Sequence, residues 1–149
     1  MRLVKIKQKF YDECRAHNTG EELMFNECGR PCVLIMQLRY KGMQQKFVVP
    51  LRSNISGKAP KWQYFSLPPN SDTKKGNSHG VHYIKLFPIK DEYIDTYLID
   101  NDTHKLMIKK ILDKNESDIV QACQEYLHQI EQGKKHSMTP DIDGILSWL

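Results

Sequence analysis

Apolar positions first appear in alternation. In "MRLVKIKQKF", Leu3, Val4 and Ile6 are interleaved with cations, which predicts a short edge strand over Arg2 to Lys7. "KQKFYDECRAH" then sets Phe10, Cys14 and His17 near one helical face, and Asn18 and Gly20 suit the end of that helix. The strongest signal follows. "CVLIMQLRY" (Cys32 to Tyr40) and "QQKFVVPL" (Gln44 to Leu51) are β-rich runs joined by Lys41-Gly42-Met43, a hairpin with a short glycine-containing turn. Pro50 marks either a sheet edge or the point where pairing stops. From Ser53 to Gly80 the chain is loop-like, with "WQYF" offering one short strand; so long an irregular segment in a compact domain is usually functional or disordered.

"VHYIKLFPI" restores a strand pattern and "EYIDTYLID" supplies another. After Asp100 the period becomes helical. "THKLMIKKIL" gathers Leu106, Ile108, Ile111 and Leu112 on a broad apolar side. "ESDIVQACQEYLHQIEQG" spaces Ile119, Cys123, Tyr126, Leu127 and Ile130 at three and four residues, with Gly133 as the stop. The tail "TPDIDGILSWL" predicts a last helix capped by Thr139 with Pro140 in its first turn. A small, strongly curved antiparallel sheet with helices segregated to one side, mainly C-terminal, is an α+β fold.

Composition narrows the class without changing that picture. The 149 residues, 40% hydrophobic and 27% charged, predict one globular domain over 1–149. No apolar run approaches the roughly 20 residues of a membrane helix, and the N-terminus lacks a signal-peptide core, so a cytoplasmic protein with no membrane association is expected. Cys14, Cys28, Cys32 and Cys123 show no disulfide-framework spacing, and Cys28 with Cys32 would need two further ligands to hold zinc. No metal or cofactor is expected. The net charge of +4 is compatible with an anionic partner.

The cations matter more for where they sit. "PLRSNISGKAPKW" brings Arg52, Ser53, Ser56, Lys58, Lys61 and Trp62 to the end of a strand. A Walker loop is excluded, because Arg52 stands where its first glycine belongs and Ala59 follows Lys58. An anion site is not excluded: Arg52 can fork two hydrogen bonds to a phosphate, Lys58 and Lys61 act as point charges, and Ser53 and Ser56 donate. An exposed turn of solvated cations is the plain alternative. A second cluster holds Lys74, Lys75, His79, His82, Tyr83 and Lys85. On an unbroken strand His82 and Ile84 face one way, Tyr83 and Lys85 the other. Trp62, Tyr64 and Phe65 among these cations suit base stacking, or equally could anchor the loop to the core. Scattered acids at strand ends and the lack of a Gly-x-Ser-x-Gly elbow argue against paired-carboxylate and Ser-His-acid chemistry.

The order of a short strand, a Lys-Phe-Tyr helix, "VLIMQL…KFVVPLRS", a long basic loop, "GVHYIKLFPI" and terminal helices resembles the toxins of type III toxin–antitoxin systems, the ToxN/AbiQ-like endoribonucleases. The stretch from "FVVPLRSN" through "KWQYFSLPP" to "HGVHYIKLFPI" looks most like the TenpN branch. The likeness runs from Met1 through the C-terminal helices, with "PLRS" and "HYIKLFPI" its most specific parts. It implies a curved MazF/Kid-like sheet. It implies metal-independent, sequence-selective cleavage of single-stranded cellular or phage RNA to a 2′,3′-cyclic phosphate. It also implies a small repeat-derived RNA antitoxin that the toxin processes and that holds it in a ring-like protein–RNA assembly, in phage defence or plasmid maintenance. The family's essential hydroxyl falls on Ser53, beside Arg52. Its active-site lysine falls on Lys58 or Lys61, Lys58 being favoured by the backbone freedom of Gly57. Arg52 and Lys58 would stabilise the transition state, with Ser53 orienting the scissile phosphate or the 2′-hydroxyl. Lys61, Trp62, Ser56, His79, His82 and Lys85 would bind RNA, either histidine serving as acid or base. A non-catalytic RNA-binding module is the rival, and Ser53→Ala separates the two.

Overall fold

The computed structural model describes residues 2–23 and 32–149, with the backbone alone at 32–34. Eleven regular elements are described: β1 (Leu3–Ile6), α1 (Gln8–Ala16), β2 (Cys32–Tyr40), β3 (Met43–Ile55), β4 (Tyr64–Leu67), β5 (Ser78–His82), β6 (Phe87–Pro88), β7 (Ile94–Thr96), α2 (Thr103–Lys114), α3 (Glu116–Glu131) and α4 (Ile142–Trp148). The strands run in the order β4-β5-β3-β2-β1-β7, with β6 also against β3, and every pairing is antiparallel. The sheet curls into a half-barrel with the helices mainly C-terminal, so the α+β class read from the sequence is the one the structure shows.

The hairpin forms because its turn chemistry and its alternation agree. Lys41 (φ 50°) and Gly42 (φ 80°) both take the left-handed conformation of a primed two-residue turn, and Tyr40 pairs with Met43. Along β3 the side chains alternate between two apolar layers. Phe47, Val49 and Leu51 join Leu38, Val81, Leu112, Ile119 and Leu127 beneath α2 and α3. Val48 joins Val4, Ile6, Phe10, Phe87 and Ile145 beneath α1 and α4. In that second layer Phe10 stacks on Phe87 at 5.3 Å between ring centroids.

Four expectations are corrected. β1 is not an edge strand, because β7 pairs along its outer side (Val4 with Thr96, Ile6 with Ile94) and takes the edge itself. The loop expected from Ser53 to Gly80 is shorter at both ends, since β3 runs to Ile55 and β5 starts at Ser78. "VHYIKLFPI" is not one strand: β5 pairs with Leu51 and Arg52, β6 pairs with Phe47 and Val48, and Tyr83–Lys85 turn as a 3-10 helix between them. The ladder lapses at Val49–Pro50, where proline has no N–H to give. Finally, Thr139 does not cap the last helix. Asp141 does, accepting from Gly144 N at 3.0 Å, and the buried Thr139 hydroxyl instead meets Tyr126. Among the described residues no helix is long and apolar enough to cross a membrane.

Candidate active site

β3 outruns its neighbour. Its last described partner in β2 is Cys32, opposite Pro50, and the residues beyond pair with β5. Alternation then decides what this projecting end offers. Leu51 faces the α2–α3 layer, so Ser53 shares that side, and Arg52 takes the opposite one. β5 follows the same rule across the ladder, sending His79 with Val81 to the Ser53 side and His82 to the Arg52 side. Gly80, opposite Arg52, leaves no room for a side chain: a Cβ there would lie 2.4 Å from the Phe65 carbonyl oxygen. The single cluster of Arg52, Ser53 and Lys58 expected from their closeness in sequence is therefore divided between two faces.

On the first face, Arg52, Ser56, Lys58, His82 and His136 line a cleft of about 440 Å³. The Arg52 guanidinium lies 3.3 Å from His82 Nδ1. A guanidinium can only donate, so Nδ1 accepts and the neutral ring carries its hydrogen on Nε2. That Nε2 is buried and has no hydrogen-bond partner among the described residues. Burial above all, and then the charges of Arg52, Lys85 and His136, push the His82 pKa down to about 3. His136 Nδ1 accepts from the Met138 amide at 3.0 Å.

Lys85, expected on an RNA-facing strand, is only 6% exposed. Its ammonium donates to the Glu22 carboxylate at 2.9 Å and to the Glu22 carbonyl at 3.0 Å. That hydrogen bond holds the Glu22 carboxyl below its ordinary range. Lys85 thus reaches the cleft as a charge behind His82 rather than as a free contact.

Lys58 is held by its turn. Its amide donates to Ser56 Oγ at 3.2 Å, and the Ala59 amide to the Ser56 carbonyl at 2.9 Å. Gly57 is needed for packing, since a Cβ there would lie 2.0 Å from the Gly76 carbonyl oxygen. Gly57→Ala is accordingly expected to force this turn away from the 74–77 loop and cost about 1–3 kcal/mol of stability. Chemical denaturation checks this, and an unchanged midpoint would show that the contact is not kept in solution.

On the second face Ser53 and His79 join His104 and Lys105 of α2 around a separate cavity of about 270 Å³. Ser53 Oγ accepts from Asn70 Nδ2 at 2.9 Å, and His79 Nδ1 donates to the Pro68 carbonyl at 2.7 Å. Of the three loop aromatics, Tyr64 is buried and Phe65 partly so; Trp62 is 49% exposed, its ring 5.9 Å from that of Tyr126 on α3. Lys61 stands 5.7 Å from the Tyr64 ring centroid.

Sequence reasoning passed over Glu22, Asn70, His104, Lys105 and His136, which come from other loops and from α2, on either side of the strand end in sequence; nothing in their local sequence marks them. Among the described residues no three His, Cys, Asp or Glu side chains are grouped as a metal site needs. Cys28 lies outside the described residues and so does the Cys32 side chain, while Cys14 and Cys123 are buried free thiols.

No protein-family model matches this chain, and no curated protein sequence does. Solved structures do match. One belongs to a type III toxin–antitoxin system with selective toxin inhibition by a non-coding RNA pseudoknot (TM-score 0.73, 16% identity, 99% of this chain and 94% of the other). Another is AbiQ, a lactococcal anti-phage endoribonuclease of the type III toxin–antitoxin system (TM-score 0.69, 13% identity, 99% and 94%). A third comes from a bacterial antiviral system regulated by a processed non-coding RNA (TM-score 0.68, 15% identity, 99% and 96%). At these identities the likeness is one of fold. It is to the ToxN/AbiQ-like toxin fold as a whole and does not reach the TenpN branch.

Proposed function

We propose that this chain is the endoribonuclease toxin of a type III toxin–antitoxin system, and that it cleaves single-stranded RNA in the cleft beside Arg52. The convergence of Arg52, Lys58 and His82 on one cleft, in a fold shared end to end with such toxins, carries the proposal. The reaction is an internal transesterification. The 2′-oxygen loses its proton to solvent and bonds to phosphorus, and the bond from phosphorus to the 5′-oxygen breaks. The leaving oxygen takes up a proton, giving a 2′,3′-cyclic phosphate and a 5′-hydroxyl.

The cleft's residues suit the charge that builds on the phosphorane. Arg52 can fork onto two of its oxygens, and Lys58 adds a point charge from the rim. His82 and His136 each accept through Nδ1, so in their neutral forms both carry the hydrogen on Nε2. The site is therefore an electrostatic stabiliser more than a general-base machine. His82 stays neutral above all because it is buried and then because cations crowd it; an arriving phosphodiester offsets those charges, though not the burial, and raises its pKa part of the way toward a useful acid. Lys61 and the exposed Trp62 would hold the flanking strand by charge and stacking.

In the same proposal a small repeat-derived RNA, cut by the toxin itself, occupies the cleft and inhibits it in a closed protein–RNA assembly in the cytoplasm. The inhibitory RNA pseudoknot of one structural neighbour and the processed RNA of another support that partner.

Incubation with a mixed-sequence RNA in EDTA, with product ends mapped, tests the activity. Discrete cuts ending in cyclic phosphate, abolished by a 2′-deoxy sugar at the scissile position, are expected. RNA that binds tightly and stays intact would instead favour a binding module. The logarithm of affinity should fall with the logarithm of salt at about −0.7 per phosphate contact. A flat salt dependence would rule out the cleft as a phosphate track.

A further inference from the structure

Part of the wall of the Arg52 cleft is a turn that the chain reaches only after α3. Gly133 (φ 83°) ends that helix in the left-handed conformation, its amide donating to the Ile130 carbonyl at 2.9 Å. His136 and Met138, just beyond, line the cleft together with Arg52 and Lys58. Three hydrogen bonds hold His136 there by its backbone and its ring at once. Its amide donates to the Tyr126 hydroxyl at 3.1 Å, its carbonyl accepts from the Thr139 amide at 3.1 Å, and its Nδ1 accepts from the Met138 amide at 3.0 Å. Tyr126 and Thr139 are buried and their hydroxyls bond to each other, which braces the turn from behind. The ring is oriented before any ligand arrives, as a preorganised donor must be.

The Met138 contact also decides which nitrogen can act. An amide N–H only donates, so Nδ1 is bare and the ring carries its hydrogen on Nε2. A proton added at Nδ1 would meet that amide hydrogen head-on and cost the bond. In this turn the imidazole is suited to donating through Nε2 and poorly suited to passing a proton. A neutral donor also adds a hydrogen bond without adding charge, in a cleft where Arg52 and Lys58 already supply the positive charge. His82 is placed differently. It is almost wholly buried, Nε2 included, and acts from beneath the cleft, whereas His136 is only half-buried at its wall.

We propose that His136 is a catalytic residue, a neutral donor whose Nε2–H binds a non-bridging oxygen of the scissile phosphate and tightens on the phosphorane. Tyr126 and Thr139 are the positioning residues behind it. No proton changes hands at His136, so the bonds made and broken remain those of the transesterification. The role rests on RNA cleavage in this cleft, and the test keeps the two apart.

Two replacements separate the ring's two nitrogens. His136→Asn keeps an acceptor near the place of Nδ1 for the Met138 amide, but nothing reaches the place of Nε2. His136→Gln puts an amide donor near Nε2. In single-turnover RNA cleavage His136→Asn should be slower than the parent by about 10²-fold, and His136→Gln should recover much of that loss. Both should melt near the parent. Should His136→Asn melt early, the parent itself decides, through long-range proton–nitrogen spectra with a non-cleavable 2′-deoxy strand. Those spectra should show Nδ1 bare in the complex and the His136 Nε2–H resonance shifted by the strand. Hydrogens on both nitrogens in the complex, or a strand that leaves Nε2–H unmoved, would overturn the donor role. A folded His136→Asn protein that cuts at the parental rate would overturn it and leave the nuclease standing. A His136→Gln protein as slow as His136→Asn would also overturn it, because glutamine donates but cannot pass a proton. A parent that cuts no RNA would sink the nuclease itself, and this role with it, before any variant is compared.

Discussion

Replacing Arg52 by alanine is expected to slow RNA cleavage by a factor on the order of 10² to 10³, the usual loss when one preorganised donor is removed from a developing oxyanion. RNA affinity should suffer much less. One phosphate contact among several is gone, and the salt slope should flatten by about 0.7. Arg52→Lys should recover only part of the rate, because an ammonium keeps the charge but not the planar fork that reaches two oxygens. Arg52 also touches His82 Nδ1, so its loss removes one of the cations that keep the imidazole neutral, and the His82 pKa should climb. Single-turnover cleavage with enzyme in excess separates the rate from binding, and thermal denaturation of each variant checks the fold. Cleavage by Arg52→Ala at the parent rate would place the chemistry elsewhere, with the Ser53 face the first place to look.

The hairpin and the three later helices were legible because each is specified locally. Alternation and a left-handed Lys41-Gly42 pair define the one, and apolar spacing of three and four defines the others. What was misread depended on distant partners. β7 lies inside "EYIDTYLID" and reads as a strand, but nothing local says that it pairs along β1, and that pairing is what moves β1 off the edge. The break at Tyr83–Lys85 reflects Val49–Pro50, more than thirty residues earlier, across the ladder.

The site shows the same division. Residue type was enough to single out Arg52, Lys58 and His82, but that His82 joins the other two in one cleft follows from the pairing of β3 with β5. That Ser53 does not stand beside Arg52 was readable too, because the two-residue period that separates His82 from Tyr83 applies equally to β3. Closeness in sequence obscured it. His104 and His136 could not have been assigned, since α2 and the segment after α3 reach their cavities only through tertiary packing.

Folding stability should rise with pH between about 3 and 6.5, and His82 should be a main reason. In the unfolded chain its imidazole titrates near 6.5; in the folded protein burial first, and then the neighbouring Arg52 and Lys85 charges, push that value to about 3. Between those values the unfolded state binds a proton that the folded state refuses, so acid favours unfolding and the contribution is complete only above about 6.5. Two pH units below 6.5, this amounts to about 3 kcal/mol, a large share of an ordinary domain's stability. His79, lowered by burial, and Glu22, lowered by Lys85, lean the same way, so a variant must isolate His82. His82→Asn keeps an acceptor near the place of Nδ1 but has nothing to titrate. Denaturant midpoints at pH 7 and pH 4.5 should therefore differ less for His82→Asn than for the parent, and an equal loss in both would mean that the imidazole is not held neutral. The same titration reports on the proposed chemistry. A phosphodiester in the cleft offsets the charges around His82 and lets the ring hold its proton, so a non-cleavable 2′-deoxy substrate should flatten the parent's pH slope and leave that of His82→Asn unaltered. A parent slope that ignores the bound strand would mean the phosphate lies beyond reach of His82.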